Sequence, residues 1–237
     1  MSRLALVAAL EREVRPLLKH WQVRKREHAG RQYRFYENRD AVLVCGGIGP
    51  QAARRAAEAA IVLYGPDLLY SVGYAGALDP ALKIGAVLTP AQVIDAKDGS
   101  RVEIPNGRGV LLSHDAVASV AQKSRLRDSY GAQAIDMEAS AVAKAAQARG
   151  VFFRAVKVIS DEFNFELPAF GRFVDVEGRF HQSRFTLHGL VRPGLWLRLV
   201  HLAGNSARAT RALCGALREI LAQEVPADSS AQMTERR

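Results

Sequence analysis

Cysteine is scarce in this chain: Cys45 and Cys214 stand alone, too few for a disulfide framework and without the CxxC spacing of a zinc site. A reducing compartment is therefore expected. Long apolar runs are missing too, since no stretch approaches the roughly 20 residues that span a bilayer. Met1-Ser2-Arg3-Leu4 leads into an apolar strand pattern rather than a signal peptide. Together these absences point to a cytoplasmic protein, peripheral to a membrane at most. The histidines, among them His114, His181, His188 and His201, lack HExxH spacing, so neither a metal nor a cofactor is expected. The chain also shows no internal repeat and no low-complexity tract.

Acidic residues are outnumbered, 24 Asp and Glu against 33 Lys and Arg, for a net charge of +9. Much of the imbalance falls between Gly171 and Arg218, where eight arginines face only Asp175 and Glu177. Clustered cations are the footprint of polynucleotide binding. No zinc-finger or RRM signature accompanies them, however, and a solvated helical face without a nucleic-acid partner is the expectation, with a membrane surface as the alternative.

With 237 residues, 49% of them hydrophobic, the chain can bury one substantial core. A single domain over 1–224 is expected, helical from about residue 170, with a disordered polar tail at 225–237. Leu4–Ala9 is a continuous apolar run, as in a strand covered on both faces, and Glu11–Lys19 follows as a short helix. Gln32–Tyr36 and Ala41–Cys45 pattern as paired strands. Pro50 then opens an Ala-rich helix to about Leu63. Strands are expected at Leu68–Val72, within Ala86–Ile94, and at Gly109–Leu112, Gln133–Ile135 and Phe152–Ile159. Helices are expected at Asp115–Arg125 and Glu138–Ala148, with a loop at Lys97–Arg108 and a strand-ending glycine loop at 73–76. Two amphipathic helices, Thr186–Leu202 and Ser206–Gln223, would be separated near Gly204-Asn205. This alternation predicts an α/β three-layer αβα sandwich with a mixed, largely parallel sheet, whose ligands sit at the carboxyl ends of the strands.

Three carboxylates fall where an apolar strand stops: Glu13, Glu138 and Asp161. A set of this kind suits cleavage of an N-glycosidic bond, which wants an acid for the leaving base, an anion for the sugar hydroxyls and a base for water. Taken one at a time, each reads more readily as an ordinary acid at a helix N-terminus.

The surrounding sequences go further. Ala134-Ile135-Asp136-Met137-Glu138-Ala139-Ser140-Ala141-Val142-Ala143, followed by Val156-Lys157-Val158-Ile159-Ser160-Asp161, resembles the paired signature of the nucleoside phosphorylase/nucleosidase superfamily. Ala9–Val14, Gly47-Ile48-Gly49 and Ser71–Leu78 match its acidic turn, its glycine turn and its central glycine loop in order, and His114–Val117 is a weaker match. The resemblance spans about residues 3–163 and implies a purine nucleoside phosphorylase-like fold. It implies that Asp161 donates a proton to purine N7 with Ser160 orienting it, and that Glu138 binds the ribose hydroxyls. Met137 would pack on the sugar and Glu13 would activate water. Ile48, Gly49, Tyr74, Ala75, Gly76, Ala116 and Val117 would line the substrate site. A homodimer is also implied.

There are departures from the pattern. Tyr74 stands where nucleosidases carry a small serine, and its bulk would crowd the water or phosphate position. No arginine occupies that loop, which favours hydrolysis over phosphorolysis but leaves phosphate open as a co-substrate. The 95–109 segment is shorter than in dimeric methylthioadenosine/S-adenosylhomocysteine nucleosidases, which would leave the 5′ pocket open. Phe173-Val174-Asp175, Arg192–Trp196 and Asn205-Ser206 resemble hopanoid-associated phosphorylases, which act on an adenosyl-linked lipid, and the apolar-plus-Arg helix there would contact a membrane surface. The expected substrate is a purine nucleoside, an adenine nucleoside with a small or lipid 5′ group. The non-enzyme alternative is a nucleoside-binding protein without turnover.

Overall fold

The computed structural model describes residues 4–39, 41–165 and 196–224, with the backbone alone for 196–202. The expectations at 173–175, at 192–195, for the start of the first C-terminal helix and for the tail at 225–237 lie outside the described residues.

One mixed sheet carries the fold. Its strands are β1 (Leu4–Ala8), β2 (Gln22–His28), β3 (Arg31–Asn38), β4 (Ala41–Cys45), β5 (Leu68–Ala77), β6 (Val87–Leu88), β7 (Gln92–Asp95), β8 (Arg101–Glu103), β9 (Val110–Ser113), β10 (Ala134–Asp136) and β11 (Phe152–Asp161). They run in the order β2-β3-β4-β1-β5-β10-β9-β7-β8, with β11 also paired to β5 and to β6. The pairs β4-β1, β1-β5, β5-β11, β10-β9 and β9-β7 are parallel. Antiparallel pairs close the margins, at β2-β3-β4, β7-β8 and β11-β6, and one more joins β10 to β5.

Helices cover both faces. Side chains alternate across each strand, so Ala5, Val7, Val42, Val44, Leu69 and Ala155 point to α2 (Pro50–Tyr64) and α4 (Ala139–Gln147). The opposite set, Leu4, Leu6, Leu43, Tyr70, Val72, Val156 and Val158, meets α1 (Glu11–Val14) and the C-terminal helix α5 (Trp196–Glu224). A smaller cluster of Leu78, Ile94, Leu112, Ala118, Ala132 and Ile135 lies next to α3 (Val120–Tyr130).

Several elements differ from the sequence expectation. β2 is a charged, fully paired edge strand with nearly every side chain exposed, so no hydrophobic alternation marked it; charge on an edge strand discourages pairing with other chains. β8 emerges from the expected loop because pairing with β7 needs only Val102 buried. α3 starts later because Ser119 and Gln122 form a reciprocal capping box at its N-terminus. The 11–19 helix splits at Pro16 into α1 and a 3-10 turn, Leu18–His20. α5 runs unbroken through Gly204-Asn205. An interior glycine costs about 1 kcal/mol, less than the helix gains from burying Ala209, Leu213, Cys214 and Leu217 along one face. Among the described residues no helix is long and apolar enough to cross a membrane.

Leu213 has no exposed surface and seats α5 on the sheet. Leu213→Ala should lower unfolding stability by about 2–5 kcal/mol, read as a fall in the urea midpoint with an unchanged m-value.

Candidate active site at the carboxyl ends of the central strands

β5 and β11 both run on past the points where the sequence suggested they stop, and this extension builds the site. The stretch Gly73-Tyr74-Ala75-Gly76 is strand rather than loop, and its glycines make room for carboxylates. A Cβ on Gly73 would lie 2.7 Å from Glu13 Oε2, and one on Gly76 would lie 2.8 Å from Asp161 Oδ2. Asp161 is the last residue of β11 and pairs with Gly76 across a register shift after Ile159. Such bulges re-aim side chains and are over-represented beside active sites.

Glu13 is 5% exposed because α1 follows β1 with only two residues between them. The Tyr74 backbone N–H lies close to its carboxylate and favours the charged form. Among the described residues Oε2 has no hydrogen-bond partner, so a buried acceptor faces the space that Gly73 leaves open. Burial, reinforced by the neighbouring Glu138 carboxylate, raises the Glu13 pKa to about 8 against the partial opposition of Lys157 and Arg12.

Glu138 occupies the N-cap position of α4. Its Oε1 accepts from Gly49 N–H at 2.9 Å and its Oε2 from Met137 N–H at 3.3 Å. Gly49 is itself the N-cap of α2, so the positive end of that helix faces the carboxylate. Burial and then Asp136 raise the Glu138 pKa to about 6, with Lys157 and these hydrogen bonds opposing. The Gly49 N–H therefore meets a protein carboxylate. Ile48 and Met137 lie partly buried on either side of this bond.

At Asp161, Ser160 Oγ donates to Oδ1 at 3.0 Å and Lys123 Nζ donates to Oδ2 at 2.6 Å. Tyr74 directs its hydroxyl to α5, donating to Ser206 O at 3.0 Å and accepting from Thr210 Oγ1 at 2.5 Å. The ring therefore packs with the core on the α5 side. Ala75 is buried between Tyr74 and Gly76. Residues 114–117 leave β9 beside the Glu138 turn, as His114 N–H donates to Asp136 O at 2.9 Å. Ala116 is exposed there and Val117 partly buried.

Sequence reasoning missed the cations beneath these groups. Lys157 Nζ lies 2.8 Å from Asp136 Oδ2, both side chains almost wholly inaccessible. Ser113 Oγ donates to Asp136 Oδ1 at 2.5 Å and accepts from Ser140 N–H at 2.9 Å, while Ala139 N–H donates to Asp136 Oδ2 at 2.9 Å. A lysine inside the apolar run Phe152–Ile159 was a readable signal, because a charge buried in a strand requires a partner. For Lys123 no such signal existed, since α3 has no apolar stripe to contrast with it.

The raised Glu13 pKa has a consequence for stability. The unfolded carboxyl releases its proton near the ordinary value of 4.5, whereas the folded one keeps it to about 8. Stability is thus lost progressively as pH rises through that window. Glu13→Gln is free of this loss, so its melting temperature should exceed that of the wild type by a margin that grows from pH 5 to pH 9, reaching roughly a few kcal/mol of stability. A margin independent of pH would show that Glu13 titrates normally.

Comparison with known proteins fits this geometry. A family model described as the phosphorylase superfamily matches residues 3–117 and 103–192. An aminodeoxyfutalosine nucleosidase from Campylobacter jejuni is 26% identical over 208 residues, covering 70% of this chain and 91% of the relative. A 5′-methylthioadenosine/S-adenosylhomocysteine nucleosidase from Staphylococcus aureus is 25% identical over 201 residues, covering 69% and 88%. The solved Arabidopsis thaliana 5′-methylthioadenosine nucleosidase shares the fold, with a TM-score of 0.72 at 18% identity over 96% of this chain and 98% of that one. The chain belongs to the phosphorylase superfamily and is an enzyme of the kind that cleaves N-glycosidic bonds.

Proposed function

We propose that the protein hydrolyses the N-glycosidic bond of a purine nucleoside, an adenine nucleoside substituted at the 5′ position, and releases the free base. The observation that carries this reading is the placement of Glu13, Glu138 and Asp161 around the carboxyl end of β5, with one buried Glu13 oxygen unpartnered. The nucleosidases from Campylobacter jejuni and Staphylococcus aureus support hydrolysis, as does the lack of an arginine in the 73–76 stretch that would bind phosphate.

In this reading Asp161, steadied by Ser160, gives a proton to purine N7 while the C1′–N9 bond breaks and its electron pair passes to the base. Glu138 accepts hydrogen bonds from the ribose 2′- and 3′-hydroxyls. Water then bonds to C1′ and its proton passes to the Glu13 carboxylate. Preorganised anions around the sugar stabilise its oxocarbenium character without reorganising during the reaction. The resting Glu138–Gly49 bond yields one carboxylate oxygen to the ribose. Glu13 accepts a proton only when ionised, so turnover rises with pH toward a plateau above about 8.

The test is adenine release from methylthioadenosine, with and without phosphate. The expected result is phosphate-independent release that falls by about 10²–10⁴-fold in Asp161→Asn, with binding retained. Release only in the presence of phosphate would make the protein a phosphorylase. Nucleoside binding without release in the wild type would make it a binding protein.

A further inference from the structure

α3 is an unusual helix to find packed beside a site, because the one side chain it buries fully is a lysine. Lys123 is 1% exposed, its Nζ lies 2.6 Å from Asp161 Oδ2, and it donates a second bond to Glu162 O at 3.0 Å. The helix grips the end of β11 a second time through Arg127, whose guanidinium stacks on Phe163 at 5.6 Å. The neighbouring Glu162 carboxylate faces outward to Lys83 at 3.9 Å and leaves Lys123 to Asp161.

Stability does not account for this arrangement. A buried ion pair recovers little beyond its own desolvation, and apolar residues of similar volume often hold an element as well or better. What the pair supplies is geometry. Asp161 is held at both oxygens, by Ser160 on one and Lys123 on the other, which fixes the plane of its carboxyl. The same helix begins three residues after Val117, which with Ala116 the family resemblance implies would line the base. Base and proton donor are then set by one element, and an offset of about 1 Å between them is enough to cost roughly 100-fold in rate.

We propose that Lys123 positions the Asp161 carboxyl and supplies the proton it passes on, so that the acid of this site is the Lys123–Asp161 pair rather than Asp161 alone. The inference rests on the reading of Asp161 as the donor to N7. The proton balance is simple. The ion pair holds one transferable proton, on Nζ. As C1′–N9 breaks, an Nζ–H bond is lost, the carboxyl relays the proton and an N7–H bond forms; the lysine is left neutral and regains its proton from water once the base departs.

A double-mutant cycle on base release from methylthioadenosine tests this. Lys123→Met should lower kcat by about 10- to 100-fold and leave KM within about threefold. The effect should vanish without the carboxylate, so that Lys123→Met/Asp161→Asn is no slower than Asp161→Asn alone. A kcat within about twofold of the wild type would overturn the proposal, as would an equal proportional loss in the Asp161→Asn background, which marks a merely structural lysine. If Lys123→Met alone does not fold, its buried carboxylate having lost its partner, Asp161→Asn against the neutral double variant still decides. Failure of the functional reading looks different: the wild type releases no base, or Asp161→Asn retains the full rate.

Discussion

Four carboxylates, Glu13, Asp136, Glu138 and Asp161, gather at one end of the sheet, and the rest of the site depends on how that charge is tolerated. Removing each from water is costly unless it is paired. Two lysines with almost no exposure divide the task, Lys157 against Asp136 and Lys123 against Asp161. Glu138 relies instead on the backbone N–H groups of Gly49, at the start of α2, and of Met137. Glu13 has least compensation and answers by holding its proton to about pH 8. The same under-compensation leaves an unpartnered oxygen facing the space beside Gly73. A fully satisfied Glu13 would make a more stable protein and, in the function proposed above, a poorer acceptor of a proton from water.

The sheet places these groups by geometry more than by local sequence. β5 sits between β1 and β11, both parallel to it, so α1, which follows β1, and the end of β11 deliver Glu13 and Asp161 to neighbouring stretches of one strand. β10 joins β5 antiparallel at Gly76 and Ala77 and brings Glu138 to the same end. The glycines of β5 therefore act through absent volume: each stands where a side chain would collide with a carboxylate.

Much of the fold was legible because its signals are local. Leu4–Ala8 and Ala41–Cys45 are short apolar runs, Pro50 marks a helix start, and the Ala-rich segment after Glu138 is a strong helix former. The edge strands β2 and β8 were not legible, because a strand paired on one side needs no apolar face of its own. The continuity of α5 through Gly204-Asn205 was hidden as well, since burial of Leu213 and its neighbours outweighs the local weakness of glycine.

For the site, sequence alone determined which carboxylates lie at strand ends and, by resemblance, the family whose chemistry they suit. Residue type and spacing along one chain suffice for that. Only the tertiary structure decided what those carboxylates face. Lys123 and Asp161 are 38 residues apart, and Gly49 and Glu138 are 89 apart. The direction of the Tyr74 ring depends on Thr210, 136 residues away. Pairings of buried charge are set by which strands lie side by side, and no local pattern records that order.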